Sequence, residues 1–422
     1  LDALAGSGEG VTVFNTLGFD RDDVVTLGTC AAEALEDDSG RRYPVQQTAD
    51  GAVAYLRGIP AKGYVTLKKT AGAAASPFRR TDDHHLETPF YSVVLDEAGR
   101  FVSIYDKEYA RELLLPGRKG NALRVYEDKP IYYDNWDIDR YYTEKSWDVD
   151  ELTGLCWIED GPVRTTLELR YGFCGCTFRQ KIHFYADTRR IDFETTVDWK
   201  LHQHLLKAEF PVDIHTDEAT FDIQFGNVTR KTHANTSWDK ARFESCGQKW
   251  MDYSEGHYGV SLLNDCKYGH SVLNGVVALT LLKSGVEPNP NTDVETHVFT
   301  YSMYPHGETW KQAGTVQEGY KLNVPAYAVD AGTPGRRYSF AKPDKANVIL
   351  ETVKQAENGD GVILRLYECE NARTRTGVTL PEGVTHVYVA NLLEEIQEEL
   401  PVCQGRVNFT IKPYEILTLL LR

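Results

Sequence analysis

Long stretches in which apolar and polar residues alternate one for one commit this chain to β-sheet. Val163, Thr165, Leu167, Leu169 and Tyr171 alternate with Arg164, Thr166, Glu168 and Arg170. Phe178, Gln180, Ile182 and Phe184 continue at the same period, and so do Ile191, Phe193, Thr195, Val197 and Trp199. Successive side chains on a strand point to opposite faces, so a period of two buries one face and wets the other. Three such runs with short turns between them predict an antiparallel meander with one buried face. Asp96-Glu97-Ala98-Gly99 carries the turn chemistry to join a strand at 91–95 to another at 101–105. The tail has strands of its own at 361–368, 385–391 and 414–421. No helix longer than two turns is expected; residues 205–207 and 392–400 come nearest. The fold class expected is all-β.

The chain has 422 residues, and single cores stop growing near ~250–300, so two or three domains are expected. Residues 69–88 lack periodicity and are rich in Ala, Ser, Arg, Asp and His. Residues 324–346 carry Pro325, Gly332-Thr333-Pro334-Gly335 and Pro343. Both read as boundaries. The expected division is a small N-terminal β-sandwich part at 1–80, a central domain at 86–340 and a C-terminal sandwich part at 346–422. The central stretch is too long for a sandwich of ~100 residues, so a large two-sheet structure fits it. The outer parts are each too small for a good core, so the tail is expected to pack on the first part.

Lys and Arg number 46 against 62 Asp and Glu, a net charge of −16. Such a field repels a phosphate backbone, which excludes nucleic acid as a partner and leaves neutral sugars unaffected. No run approaches ~18 apolar residues, so no membrane span is expected. The first ten residues lack a basic segment followed by an apolar one, so no signal peptide is expected. The eight cysteines form no Cys-x-x-Cys pair and show no zinc-finger spacing. Cys174 and Cys176 fall on one face of an expected strand and read as ordinary buried thiols. Free thiols suit a reducing, cytoplasmic location.

Residues 132–142 pack Asp134, Asp137 and Asp139 together with Tyr132, Tyr133, Trp136, Tyr141 and Tyr142. An aromatic ring stacks on the apolar face of a sugar while a carboxylate accepts its hydroxyls, so this loop is a candidate sugar-binding element. The alternative is a loop pinned by a buried Trp136, its Asp residues capping turns. Arg365, between Leu364 and Leu366, must pair with a carboxylate or reach solvent. Asp265 and Lys267 share a strand face and are expected to pair. His215-Thr216-Asp217 has the His-x-Asp spacing of a metal motif, but it follows the sandwich pattern Phe210-Pro211-Val212-Asp213-Ile214 and reads as a solvated strand end. His202 and His204, two apart, are placed as a strand would place a metal pair, with no third ligand evident.

Eight segments, in order, resemble the α-mannosidases of glycoside hydrolase family 38. They are Val13-Phe14-Asn15-Thr16-Leu17 with Arg21-Asp22, Val102-Ser103-Ile104-Tyr105-Asp106-Lys107-Glu108, and Tyr133-Asp134-Asn135-Trp136-Asp137-Ile138-Asp139. Then come Asn235-Thr236-Ser237-Trp238-Asp239, Leu263-Asn264-Asp265-Cys266-Lys267-Tyr268-Gly269, and Tyr304-Pro305-His306. Leu364-Arg365-Leu366-Tyr367-Glu368 and Pro413-Tyr414-Glu415-Ile416 close the series. The resemblance implies a large galactose-mutarotase-like supersandwich flanked by smaller β-sandwich parts. It implies membership of a retaining α-mannosidase that hydrolyses terminal α-mannosides in glycans or oligosaccharides. In that family a β/α barrel of roughly 250 residues or more carries the catalytic zinc, the Asp nucleophile and the acid/base, and nothing here matches it. No catalytic residue, metal or cofactor is therefore expected in this chain, with zinc placed in the barrel. The partners implied are mannosides and the chain's own N-terminal catalytic domain, with an assembly of identical copies left open. Tyr133, Trp136, Asp137, Asp139 and Arg365 are the substrate-binding candidates. One departure follows Asp198-Trp199, where a His/Glu/Arg-rich family stretch reads Lys200-Leu201-His202-Gln203-His204. The alternative function is a stand-alone carbohydrate-binding or mutarotase-like protein.

Overall fold

A computed structural model of the chain describes residues 1–422. The chain forms two compact units, one of residues 1–74, 223–227 and 324–422, the other of residues 75–222 and 228–323. Every strand pair in both is antiparallel where its register is defined, and sheets dominate throughout, so the fold is all-β with one large sandwich and smaller sandwich parts.

The larger unit is built on a nine-stranded sheet. The alternating runs become its neighbours Arg164–Phe173, Cys176–Tyr185 and Ile191–Asp198, joined in register as Leu167 to Ile182 and Ile182 to Phe193. Thr296–Gly307, Tyr258–Asn264 and Trp250–Glu255 continue it. A six-stranded sheet, with Ala122–Glu127, His204–Pro211, Val276–Ser284 and Gly269–Leu273 at its centre, shares one hydrophobic core with it. Phe193 stacks on Tyr301 within the first sheet, with ring centroids 4.8 Å apart, and meets Phe210 of the second at 5.6 Å. Burying a ring of this size contributes about 1.5–3 kcal/mol, so these rings clamp the two layers. Polar groups inside the core satisfy one another. Asn121 donates to Gln180 (2.7 Å), Gln180 donates to the Tyr301 hydroxyl (2.8 Å), and that hydroxyl donates back to Asn121 (2.6 Å). A closed triangle leaves no orphaned polar atom to penalise. A five-stranded sheet, including Tyr91–Leu95 and Phe101–Asp106, contributes Val93, Phe101 and Ile104 to the same core.

The smaller unit holds two cores. Val11–Asn15 and Gly63–Thr70 sit in one sheet with Tyr327–Val329 and Arg337–Ser339, facing Arg21–Thr26 and Gly51–Ile59. Val348–Gln355, Val362–Glu368 and Ile416–Leu421 form a second sandwich with Thr374–Thr379 and Arg406–Ile411. Gly18 lies so close to Leu350 that a Cβ there would sit 2.1 Å from the Leu350 carbonyl oxygen, so only glycine fits where these two chain segments touch.

Four sequence expectations need correction. Residues 205–207 lie in the strand His204–Pro211, and the 392–400 region yields the strand Ile396–Leu400. A helix of more than two turns does exist, Thr315–Asn323; Thr315, Val316 and Gly319 are its buried residues. Cys174 and Cys176 do not share a face: Cys174 sits exposed in a tight turn at φ 47°, and Cys176 is buried. Asp265 accepts the Thr300 N–H at 2.9 Å while Lys267 lies over the Phe299 ring, so they do not pair.

Candidate functional site

The loop between Ala122–Glu127 and Ser146–Asp148 carries the carboxylate and aromatic cluster. Its fixed point is Asp134, which is buried. One carboxylate oxygen accepts the backbone N–H of Val286 (2.8 Å) and Glu287 (2.7 Å), and the other accepts Gln203 Nε2 at 3.0 Å. Burial alone would raise the carboxyl pKa; the bonds from Glu287, Gln203 and Val286, with the nearby Lys283 cation, hold it below the usual range instead. Asn135 adds a backbone bond to the Glu287 carbonyl and a side-chain bond to Asn289 O at 3.1 Å. Beneath the loop, Lys283 pairs with the buried Asp128 at 2.6 Å. Burial pushes the Asp128 carboxyl up, and the Lys283 bond opposes that.

Trp136 does not anchor this loop. It is 71% exposed, because the tight turn at Tyr133 (φ 48°) directs the segment outward once Asp134 and Asn135 are bound inward. The Trp136 and Asp137 N–H groups both donate to the Tyr133 carbonyl, and the Tyr133 and Trp136 rings lie 5.4 Å apart. Ile131, Tyr132 and Tyr141 are also exposed. Asp139 accepts the Ile131 N–H at 3.0 Å and so closes the loop on itself. The structure thus presents an apolar, ring-rich surface on a rigidly fastened base. Apolar clusters of this kind on a surface mark interaction sites.

The far end of the loop, the 3-10 turn Arg140–Glu144, turns Tyr142 inward. Its hydroxyl donates to Glu244 at 2.7 Å, and its ring meets Tyr126 edge-on at 5.1 Å. Glu244 also pairs with Lys207, whose ammonium donates to Ser271 Oγ at 2.8 Å. Lys207 is 1% exposed. This network was not anticipated. Its only trace in the sequence is that Lys207 and Glu209 alternate with Leu206, Ala208 and Phe210.

Arg365 lies in the smaller unit, on Val362–Glu368, apart in the chain's organisation from the four loop candidates of the larger unit. It is half-buried and donates through Nε to Thr418 Oγ1 at 3.3 Å. Its field also helps Lys354 and the Glu357 N–H to keep the Glu394 carboxyl below its usual range. His215 donates its backbone N–H to Glu255, and Asp217 pairs with Lys231 at 3.0 Å. The His204 ring bonds to the His202 carbonyl. One His/carboxylate group, Asp293, Glu295 and His297, brings ligand atoms within 4.8 Å of one another, with no residue of it buried, and His297 Nε2 is already bonded to the Asp293 carbonyl. No helix is long and apolar enough to cross a membrane.

Two family models match. The one described as the glycosyl hydrolases family 38 C-terminal domain covers residues 86–291, and the one described as the family 38 C-terminal beta sandwich domain covers residues 347–419. The chain belongs to glycoside hydrolase family 38. It corresponds to the family's C-terminal domains. The first match contains Tyr133, Trp136, Asp137 and Asp139, and the second contains Arg365. Among curated relatives, alpha-mannosidase G of Dictyostelium discoideum is 34% identical over 371 residues, covering 84% of this chain and 34% of that protein. Alpha-mannosidase 2C1 of Homo sapiens is 34% identical over 345 residues, covering 80% of this chain and 33% of that protein. The family-38 chain therefore spans about a third of the length of these relatives. The crystal structure of an alpha-mannosidase from Enterococcus faecalis V583 shares the fold, with a TM-score of 0.76 at 15% identity over 98% of this chain and 56% of that one.

Proposed function

We propose that this chain is the C-terminal portion of a retaining α-mannosidase, supplying scaffold and one wall of the pocket in which terminal α-mannosides are hydrolysed. The observation that carries this reading is the pair of family-38 C-terminal matches on a chain a third as long as its relatives. Retaining hydrolysis needs an acid and a nucleophilic carboxyl about 5–5.5 Å apart. In this reading both, together with a zinc, would belong to a β/α barrel outside this chain. The chain's own contribution is at residues 131–141. Trp136 and Tyr133 offer ring faces to the C–H side of a mannose, Asp137 accepts a sugar hydroxyl, and the exposed rings exclude water where the barrel meets the loop. Asp139 holds the loop's shape and lines its mouth. Arg365 is proposed as a second contact to substrate or barrel. The division into a first part at 1–80, a central part that starts at 86 and a tail at 346–422 belongs to the same proposal, as does a cytoplasmic location; residues 324–340, expected in the central part, pair instead with the first part.

The experiment is a comparison of aryl α-mannoside turnover by the 422-residue chain and by a protein that carries a family-38 barrel ahead of it. Turnover confined to the longer protein, and abolished there by a chelator, is expected. Chelator-sensitive turnover by the 422-residue chain would overturn the assignment.

A further inference from the structure

We infer that the covered face of the six-stranded sheet holds a binding site for one neutral hexopyranose ring, gripped between Glu209 and Arg124 and walled by Phe243. The argument starts from strand alternation. In His204–Pro211 and its neighbours, Leu206, Ala208, Phe210, Leu123, Val125 and Leu279 enter the hydrophobic core. The opposite face carries Arg124, Tyr126, Lys207 and Glu209, with Arg124 opposite Lys207 in register. A polar sheet face normally looks into water. This one is covered instead by the turn Arg140–Glu144 and by the chain around residues 231–243. Glu209 is 7% exposed and Tyr126 8%. Ionic groups so enclosed are costly next to apolar substitutes, and enclosed polar groups that converge on a cavity mark a binding site.

A cavity of about 280 Å³ lies among them, lined by Arg124, Tyr126, Glu209, Phe243 and Ser271. It falls just below the ~300–1,000 Å³ of drug-sized pockets, which suits a single sugar ring. On the floor the Glu209 carboxylate is shared between Tyr126 and Arg124, whose Nε is bonded to Asp148 at 2.9 Å. Tyr126 donates to one Glu209 oxygen, but the other oxygen stands 3.6 Å from Arg124 Nη1. That exceeds the ~2.7–3.2 Å of a hydrogen bond. A hydroxyl placed at this gap donates to Glu209 and accepts from Arg124 at once, a pairing that sugar hydroxyls make and apolar ligands do not. Phe243, half-buried on the cavity wall, supplies the aromatic surface for the ring's C–H side. Among the other cations on the cavity wall, Lys207 pairs with Glu244, Arg242 with Asp239, and Lys231 with Asp217 and Glu218, while Arg118 and Lys240 also line it. The Glu209 carboxylate on the floor repels an anion at the point of grip and so favours a neutral sugar over a carboxylate or phosphate there.

The test is saturation-transfer NMR on the 422-residue chain with D-mannose, D-glucose and D-galactose. Glucuronate and inorganic phosphate serve as anionic probes. A saturable signal from a neutral hexose is expected, weakened about tenfold or more by Glu209→Gln, which loses a charge-assisted hydrogen bond. Phe243→Ala, a change at the cavity wall, gives an independent reading if Glu209→Gln lowers the melting temperature. Trp136→Ala separates this site from the loop proposed above: it removes any signal that the loop contributes and leaves the part that Glu209→Gln and Phe243→Ala weaken. The inference is overturned by no saturable neutral-hexose signal, by a signal that survives both cavity variants or disappears with Trp136→Ala, or by binding of the anionic probes alone.

Discussion

The Asp134 carboxylate accepts the backbone N–H of Glu287 at 2.7 Å, across 153 residues of sequence. That bond, with its neighbour to Val286, fastens the ring-bearing loop and leaves Trp136 and Tyr133 facing outward. A buried carboxylate that accepts backbone donors fixes backbone position more tightly than an aromatic plug, because hydrogen bonds have direction and apolar packing has little.

Asp134→Ala strands two N–H groups and one amide donor. The expected loss is about 1.5–3 kcal/mol at neutral pH, read from urea unfolding. Because the folded-state carboxyl titrates below its usual value, its stabilising effect is fully present above the unfolded-state pKa and disappears as pH falls through the folded one. The gap between Asp134→Ala and wild type therefore narrows below about pH 4. A gap that stays constant down to strong acid contradicts the assignment.

Lys207→Met removes one member of the enclosed pair with Glu244. Leaving a charge without its partner in such a place costs about 3–5 kcal/mol. The double variant Lys207→Met with Glu244→Leu is expected to regain most of that loss. Equal losses in the single and double variants would show that Lys207 acts through packing alone.

His270 is fully buried against Phe221, and burial pushes its pKa down to about 4. A depressed histidine is neutral in the folded protein while the unfolded chain takes up a proton below about pH 6.5. Stability is thus unaffected above that pH and falls as pH drops toward 4, by up to about 3 kcal/mol from this group. In His270→Gln the fall between pH 6.5 and 4 is shallower, whatever its stability at pH 7. An identical slope in denaturant midpoints would remove His270 from the account.

Asp139→Ala frees the Ile131 N–H and loosens the loop that it closes. In a protein that includes the barrel, KM for an aryl α-mannoside is expected to rise and local amide exchange at 131–139 to quicken, with little change in the global melting temperature. Unchanged exchange there would mean that the loop keeps its shape without Asp139.

The strands were legible wherever alternation was strict. The meander from Val163 to Trp199 appears with its strands side by side, since each run buries one face and nothing competes with that. The helix Thr315–Asn323 was hidden by weak periodicity: Gly319 sits where a stronger helix former would signal it, because Trp250 Cδ1 would lie 2.9 Å from any Cβ there. The loop's composition pointed to residues 132–142, but not to which residue holds it. Trp136 looks like a plug on hydrophobicity alone, whereas the Asp134 bonds depend on donors that only tertiary folding brings near. The enclosed cavity was less legible still, since Tyr126, Glu209 and Phe243 come from three distant segments, and only the polar alternation at Lys207 and Glu209 hinted at a face with a purpose.

The proposed share of this chain in the mannoside pocket is decided by kcat/KM for Asp137→Ala in a protein comprising both the barrel and this chain. Asp137 is exposed on the loop, so its removal should spare the fold. Loss of one hydrogen bond to substrate, worth about 1–3 kcal/mol, predicts a fall in kcat/KM of roughly five- to 150-fold at unchanged melting temperature. Wild-type kcat/KM, or a fall that only tracks lost thermal stability, would contradict it.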